Sequence, residues 1–205
     1  YDVSGEWPKE IYDKAIEMQL HSLEVPEEYG GPGLSRVDVA ALIEEMAIAD
    51  AGFATTISAS GLGTKPVLIA GNEETEKHVM PEIIDGGFGA FCLTEPGQES
   101  DASAGTTTAV KDGDEWVLNG RKCFITNGGI ASFYCITAMT DKKKGVKGIS
   151  MFLVDAGTPG LSTGNEEKMG IRTSNTCDVV LEDCRIPAAN LVGEEGRGFS
   201  IAMKT

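Results

Sequence analysis

The spacing of apolar and polar residues changes once along this chain, near Phe88. Before that point apolar positions recur three and four apart, as on a helix face. Pro8 suits a first helical turn, and Ile11, Ala15, Met18 and Leu20 supply an apolar side before His21. Ser35 with Asp38 makes a capping pair for a second helix. Its stripe is Val39, Leu42, Ile43, Met46 and Ala47, with Glu44 and Glu45 outside it. The run from Phe53 to Gly71 is small and hydroxyl-rich through Thr55, Thr56, Ser58, Ala59, Ser60 and Gly61. Such a face admits either a neighbouring helix or a ligand chain. Asn72 caps a fourth helix over 73–85, bent or ended by Pro81.

From Phe88 the pattern becomes that of strands. Segments 88–94, 106–111, 115–118, 122–126, 133–140, 148–154, 161–167 and 176–182 are short, β-branched or aromatic, and separated by turn residues. Asp112-Gly113-Asp114 and Asn119-Gly120 read as tight turns. Lys142-Lys143-Lys144-Gly145 reads as a solvated hairpin tip. Strands this closely spaced, with no helices between them, predict an antiparallel sandwich or barrel. After Pro187 the chain is expected to leave the sheet, and Phe199, Ile201, Ala202 and Met203 begin another helical pattern. The expected fold class is α+β: a helical domain over 1–87, a β domain over 88–194, and a helical start over 195–205.

Composition narrows the function classes. With 41% apolar and 24% charged residues in 205, the chain has the make-up of a soluble globular protein. Its net charge of −15 argues against nucleic acid, which demands a basic face. No apolar run approaches the ~18 residues that cross a bilayer, and no signal peptide opens the chain. Tyr at position 1, where a start would place Met, gives the expectation that the chain begins inside a longer protein. The five cysteines, at 92, 123, 135, 177 and 184, show no CxxC or zinc-ligand spacing. Their odd number suggests reduced thiols in an intracellular protein. His21 and His78 are the only imidazoles and lie far apart in sequence, which disfavours a His-based nucleophile or metal site. Any difficult chemistry therefore falls to a cofactor.

Two stretches carry the candidate chemistry. Phe91-Cys92-Leu93-Thr94-Glu95-Pro96-Gly97-Gln98-Glu99-Ser100-Asp101 begins as a strand and ends as a polar loop. Pro96 interrupts the strand, and Gly97, Ser100 and Asp101 favour a turn whose N–H groups can face an anion. A strand edge leading into such a turn can hold a flat polar ring and a diphosphate; the alternative is an ordinary loop. Lys122-Cys123-Phe124-Ile125-Thr126-Asn127-Gly128-Gly129 repeats the pattern of an aromatic, a strand-end Thr and a glycine stop.

Together the two stretches resemble the flavin-binding signature of the acyl-CoA dehydrogenases. The resemblance extends from Pro26-Glu27-Glu28-Tyr29-Gly30-Gly31 through Asn119-Gly120-Arg121-Lys122 and Lys168-Met169-Gly170-Ile171-Arg172 to Gly196-Arg197-Gly198-Phe199, in the family's order. It implies bound FAD, an acyl-CoA substrate, an electron-transferring flavoprotein as partner and a homotetramer. It implies a location in the bacterial cytoplasm or the mitochondrial matrix, and it puts the inner wall of the acyl pocket on the small-residue helix. Thr126 matches a residue whose hydroxyl bonds flavin N5, and Phe124 stands where many relatives carry Trp. Phe91, Cys92, Leu93 and Thr94, with Gly97 and Ile125, fall in the stretches that hold the ring and diphosphate. Ser100 matches a diphosphate and CoA contact, and Ser174 with Arg172 beside it matches the CoA region. At Gln98 and Glu99 relatives carry a small residue and Gly; a carboxylate near a diphosphate is repulsive, which would weaken FAD binding unless Glu99 points into water. The catalytic Glu is expected beyond Thr205, and Glu95 and Glu99 are not assigned that role. An oxygen-using acyl-CoA oxidase and a flavin-less binding domain of the same fold remain open as alternatives. A short linear acyl group is preferred, because the small-residue helix offers no cation for a dicarboxyl substrate.

Overall fold

Four helices come first, but the faces they bury differ from the predicted ones. In the computed structural model, which describes residues 1, 3–98, 100–164 and 166–205, they are α1 (Lys9–Glu17), α2 (Arg36–Ala49), α3 (Ala51–Ala70) and α4 (Glu73–Ile84). α1 buries Tyr12 and Ala15, whereas Ile11 and Met18 of the predicted side stay exposed. Tyr12 takes the inner face because Trp7 stacks on its ring at 4.0 Å and Phe88 meets it edge-on at 6.0 Å. Ser35 caps α2, accepting from Asp38 N at 3.3 Å and donating to Asp38 Oδ2 at 2.6 Å. α2 buries none of its residues fully; Val39, Ile43 and Met46 are half-buried, while Leu42 and Ala47 face outward.

The small residues of α3 are chiefly a packing face. Gly52, Ala54, Ala59, Ser60 and Gly63 are buried, and a Cβ on Gly63 would stand 2.4 Å from the Gly89 carbonyl carbon. Helix and strand backbones therefore touch there. Asn72 and Thr75 cap α4 reciprocally, and Pro81 lies inside the helix without ending it.

The strands are β1 (Gly89–Cys92), β2 (Thr108–Asp112), β3 (Glu115–Thr126), β4 (Phe133–Met139), β5 (Ile149–Asp155), β6 (Leu161–Thr163), β7 (Thr176–Pro187) and β8 (Leu191–Val192). They form one sheet in the order β6-β7-β3-β2-β4-β5-β8, with β1 beside β4. Pairing is antiparallel except between β1 and β4 and at the Thr108–Met139 bridge. One face encloses a core that includes Trp116, Leu118, Ile136, Phe152, Val179 and Ile186. The other face of β4 and β5, carrying Phe133, Cys135, Met151 and Leu153, packs on Val67, Met80, Ile83 and Ile201. Coverage on both faces explains why β4 and β5 read as unbroken apolar runs. Ile201 comes from α5 (Gly198–Ala202), where the predicted last helical pattern lies.

Two features of the sheet overturn the sequence reading. Asn119-Gly120 is not a turn but an irregularity inside the single strand β3, where its register against β7 shifts. Gly120 is needed at φ +155, since a Cβ there would lie 2.4 Å from Thr107 Oγ1. Asn119 Oδ1 accepts from Asp183 N at 2.8 Å and so spans the bulge. The chain also returns to the sheet after Pro187, as β8 pairs Val192 with Met151 and Leu191 with Phe152. The Asp112-Gly113-Asp114 turn is present, with Asp112 opposite Glu115 and Gly113 at φ +61. Residues Lys142–Gly148 form two short 3₁₀ turns broken at Gly145 (φ +54) between β4 and β5 rather than a tight tip, exposed except at Gly148, with Asp141 Oδ1 accepting from Lys143 N at 3.0 Å. All five cysteines are buried and free. No helix among the described residues is long and apolar enough to cross a membrane.

Candidate active site

The end of β1 and the end of β3 lie side by side. Cys123 N donates to the Thr94 carbonyl at 2.9 Å, and Lys122 Nζ donates to the Leu93 carbonyl at 3.1 Å. Phe91–Thr94 thus stands against Lys122–Thr126. Among the described residues β1 has one strand partner, β4. Between Lys122 and Ile125 the register of β3 against β7 shifts, and Phe124 within the shift adopts φ +59. The bulge turns the Phe124 ring outward, to 69% exposure. A non-glycine residue in that region costs about 1–2 kcal/mol, so the surroundings must enforce it.

Thr126 closes β3 opposite Thr176. It is half-buried, and none of the side-chain hydrogen bonds described here engages its hydroxyl. The turn behind it is firmly held. Asn127, at φ +64, donates its N–H to Asn175 O at 2.8 Å and its Nδ2 to Thr56 O at 3.0 Å. Gly129 N donates to Asn175 Oδ1 at 2.7 Å. Asn127 ties the strand end to α3.

Beneath the β1 loop lies an ion pair, Glu95 with Lys122, whose side chains are 2% and 1% exposed. Lys122 Nζ donates to Glu95 Oε1 at 2.7 Å and to Thr137 Oγ1 at 3.0 Å. Glu95 also accepts from Thr106 N at 2.5 Å, Thr106 Oγ1 at 2.8 Å and Thr107 N at 3.0 Å. Burial pushes the Glu95 carboxyl up, but the Lys122 charge and these hydrogen bonds outweigh it and hold it at about 2. Burial lowers the Lys122 ammonium, opposed by Glu95. Glu95 is therefore an ionised, fully engaged carboxylate, unsuited to take a substrate proton.

The rest of the loop is braced from within. Gln98 is buried; its Oε1 accepts from Glu95 N at 2.9 Å and its Nε2 donates to Ala102 O at 2.8 Å. Gln98 thus braces the loop from within. Glu99 lies outside the described residues. Gly97 has φ +78 and open space where a Cβ would stand. Ser100 is exposed on the same turn.

Those two residues belong to a second loop. Lys168 Nζ donates to the carbonyls of Ile171, at 2.6 Å, and Ser174, and to Thr176 Oγ1 at 3.3 Å. Ile171 is held at φ +54, and Arg172 Nε turns back to Lys168 O at 2.9 Å. Ser174 is 2% exposed and its Oγ has no partner among the described residues. It lines a cleft of about 210 Å³ with Arg172, Glu166 and Thr176. Burial, then Asp178, raises the Glu166 carboxyl. Thr173 anchors this loop to the helices: its Oγ1 donates to Asp50 Oδ1 at 2.6 Å, and its carbonyl accepts from Tyr12 Oη at 3.2 Å.

Residues 1–87 match the model of the acyl-CoA dehydrogenase N-terminal domain, and residues 90–184 match that of the acyl-CoA dehydrogenase middle domain. The chain belongs to the acyl-CoA dehydrogenase family. Mitochondrial isobutyryl-CoA dehydrogenase of Dictyostelium discoideum is 42% identical over 205 residues, 99% of this chain and 49% of that protein. The solved butyryl-CoA dehydrogenase from Megasphaera elsdenii is similar at a TM-score of 0.93 and 42% identity, covering 99% of this chain and 55% of that one. An acyl-CoA dehydrogenase complexed with FAD from Bacillus anthracis is similar at a TM-score of 0.86 and 40% identity, covering 95% of this chain and 33% of that one. The chain spans about half the length of the curated relatives it matches.

In this acyl-CoA dehydrogenase chain the fold sets the segment 91–94 beside 122–126, with the Phe91 and Leu93 side chains packed on the helix-side core and Phe124 exposed. Cys92 and Ile125, 0% and 2% exposed, point into the sheet core, so only their main chain is available there. Arg172 and Ser174 lie in the neighbouring cleft, while Gly97 and Ser100 stand on the outer turn. Sequence reasoning missed the Glu95–Lys122 pair, although a lysine opening the run Lys122-Cys123-Phe124-Ile125 is a signal for it. The Asp50–Thr173 link spans 123 positions and leaves no local trace.

Proposed function

We propose that this chain is the flavin-holding part of an enzyme that dehydrogenates a short-chain acyl-CoA thioester at its α,β bond. Electrons then pass to an electron-transferring flavoprotein. The observation that carries this reading is the pairing of an outward Phe124 ring, presented on a strained bulge, with the half-buried Thr126 hydroxyl at the end of the same strand. A flat aromatic group with a hydrogen-bond acceptor at its centre and polar edges fits these groups, and FAD is such a group. When bound, FAD supplies the acceptor for a substrate hydride.

The chain's own residues would then bind and orient. The Thr126 hydroxyl would donate to the ring nitrogen that gains charge, which favours the reduced state. Phe124 would cover an aromatic face. The main chain of Phe91–Thr94 and Ile125 would meet the polar edge, and the turn carrying Gly97 and Ser100 would face the diphosphate. Arg172 and Ser174 would meet the CoA part of the substrate, with the buried Ser174 hydroxyl free to bond it. Glu95 is committed to Lys122, so the proton-abstracting carboxylate is a different residue.

Relatives named for butyryl-CoA and isobutyryl-CoA support a short acyl group. The proposed domain limits are 1–87, 88–194 and 195–205, and the proposed assembly is a homotetramer in the bacterial cytoplasm or mitochondrial matrix.

The test is FAD titration of the full chain, then anaerobic addition of butyryl-CoA or isobutyryl-CoA while watching the oxidised flavin band. FAD uptake followed by bleaching is expected. No FAD uptake after gentle purification would reduce the protein to a binding domain of the same fold. Rapid reoxidation in air with peroxide release would make it an oxidase.

A further inference from the structure

Every proton of the Lys122 ammonium is committed, to Leu93 O, Glu95 Oε1 and Thr137 Oγ1 at 3.1, 2.7 and 3.0 Å. These partners lie on different parts of the candidate site. Leu93 follows β1, Thr137 lies on β4, and Lys122 itself stands two positions before Phe124 on β3. Glu95 extends the joint to the loop. Its carboxylate holds Thr106 N and Thr107 N at 2.5 and 3.0 Å, and so ties the start of the loop to its end. Gln98 braces the same loop inside, between Glu95 N and Ala102 O.

A buried ion pair is a weak source of stability, because apolar residues of similar volume often serve as well. Its geometry here does something apolar residues cannot: it fixes the direction of one main-chain carbonyl and the distance between two strand ends. We propose that the Glu95–Lys122 pair is the positioning joint of the cofactor site, setting the β1 and β3 arms at the separation that the flavin ring requires. Neither residue touches the flavin in this role; both act through Leu93, Thr94 and the strand carrying Phe124 and Thr126. The inference rests on the flavin-binding reading above.

The experiment compares the full-length wild type with the double variant Glu95→Gln/Lys122→Met, which removes both charges and leaves neither ion buried alone. Thermal melting, the FAD dissociation constant and the midpoint potential of the bound flavin are measured on each. The expected result is a melting temperature near that of the wild type, FAD binding roughly ten- to a hundredfold weaker, and a displaced potential. Wild-type affinity and potential in the double variant overturn the proposal, as does a loss of affinity that merely follows a loss of melting temperature. If the double variant does not fold, Thr137→Val removes one anchor of Lys122 and keeps the ion pair. It should bind FAD severalfold more weakly while folded, and unchanged affinity overturns the proposal. A wild type that takes up no FAD overturns the flavin reading itself, and the inference with it.

Discussion

Replacing Asp50 by Ala should loosen the loop that carries Arg172 and Ser174 by cutting it from α3. Asp50 Oδ1 does two jobs. It caps α3 by accepting from Phe53 N at 2.7 Å, and it accepts from Thr173 Oγ1 at 2.6 Å. Losing the cap costs about 1 kcal/mol, and losing a hydrogen bond to a charged acceptor costs roughly 1.5–3 kcal/mol. The combined loss is about 2.5–4 kcal/mol, which for a chain of this size lowers Tm by roughly 5–16 °C. Asp50→Asn keeps both acceptor functions and should cost about 1 kcal/mol or less. Although burial pushes the Asp50 carboxyl up, the hydrogen bonds from Thr173 and Phe53 prevail and leave it below its usual value. A depressed folded value means that this stability is present above about pH 4 and is lost as pH falls further. Calorimetry at neutral pH and at about pH 3 should therefore show the gap between wild type and Asp50→Ala narrowing in acid. Affinity for an acyl-CoA should fall in the same variant. A Tm within a degree of wild type, or a gap that widens in acid, would refute the reasoning.

Thr126→Ala should keep the fold and slow substrate reduction of the flavin about ten- to a hundredfold, from one lost donor to a developing charge; stopped-flow absorbance reads it. Gly63→Val should cost about 1–3 kcal/mol in urea unfolding, because its Cβ would meet the Gly89 and Ala90 backbone at 2.4 and 2.5 Å. Glu95 is held at about 2 against an ordinary 4.5, so its contribution is present above about pH 4.5 and is lost as pH falls toward 2. Acid titration followed by tryptophan fluorescence should show that a Glu95→Gln variant lacks this part of the slope.

Helices and strands were legible where one face decides burial. β7 alternates buried and half-exposed residues along its first half, as a strand with one core face should. α1 misled because Ile11 and Met18 are intrinsically apolar, yet the stacking of Trp7 on Tyr12 claims the inner face. That contact joins the helix to a residue before it, which periodicity does not register. Asn119-Gly120 misled for another reason. The pair has the chemistry of a tight turn, but Gly120 is required by the nearness of Thr107, a tertiary contact. The two motif stretches were legible because their residue types announce a loop. The force that holds them together was not, since a lone Lys and Glu 27 positions apart do not reveal that they pair.

The strained residues give the site a physical logic of its own. Phe124, Asn127 and Ile171 all adopt positive φ, at +59, +64 and +54. Isolated, each would relax into an extended or right-handed helical conformation. Each is instead held by hydrogen bonds at or beside it. Cys123 N is fixed to Thr94 O, and Asn127 is fixed to Asn175 and Thr56. Ile171 O is held by Lys168. The strain at Phe124 has no packing benefit, because the ring it produces is exposed. A β-branched residue at φ +54 likewise gains nothing from Ile171 being 47% exposed. Strain that buries nothing is maintained for what it presents, and what these bulges present is an aromatic face and a loop around an unpartnered Ser174 hydroxyl. Relieving it by Phe124→Gly should therefore stabilise the local backbone while weakening FAD binding. Stability and affinity moving in the same direction would show that the bulge serves the fold and not the ligand.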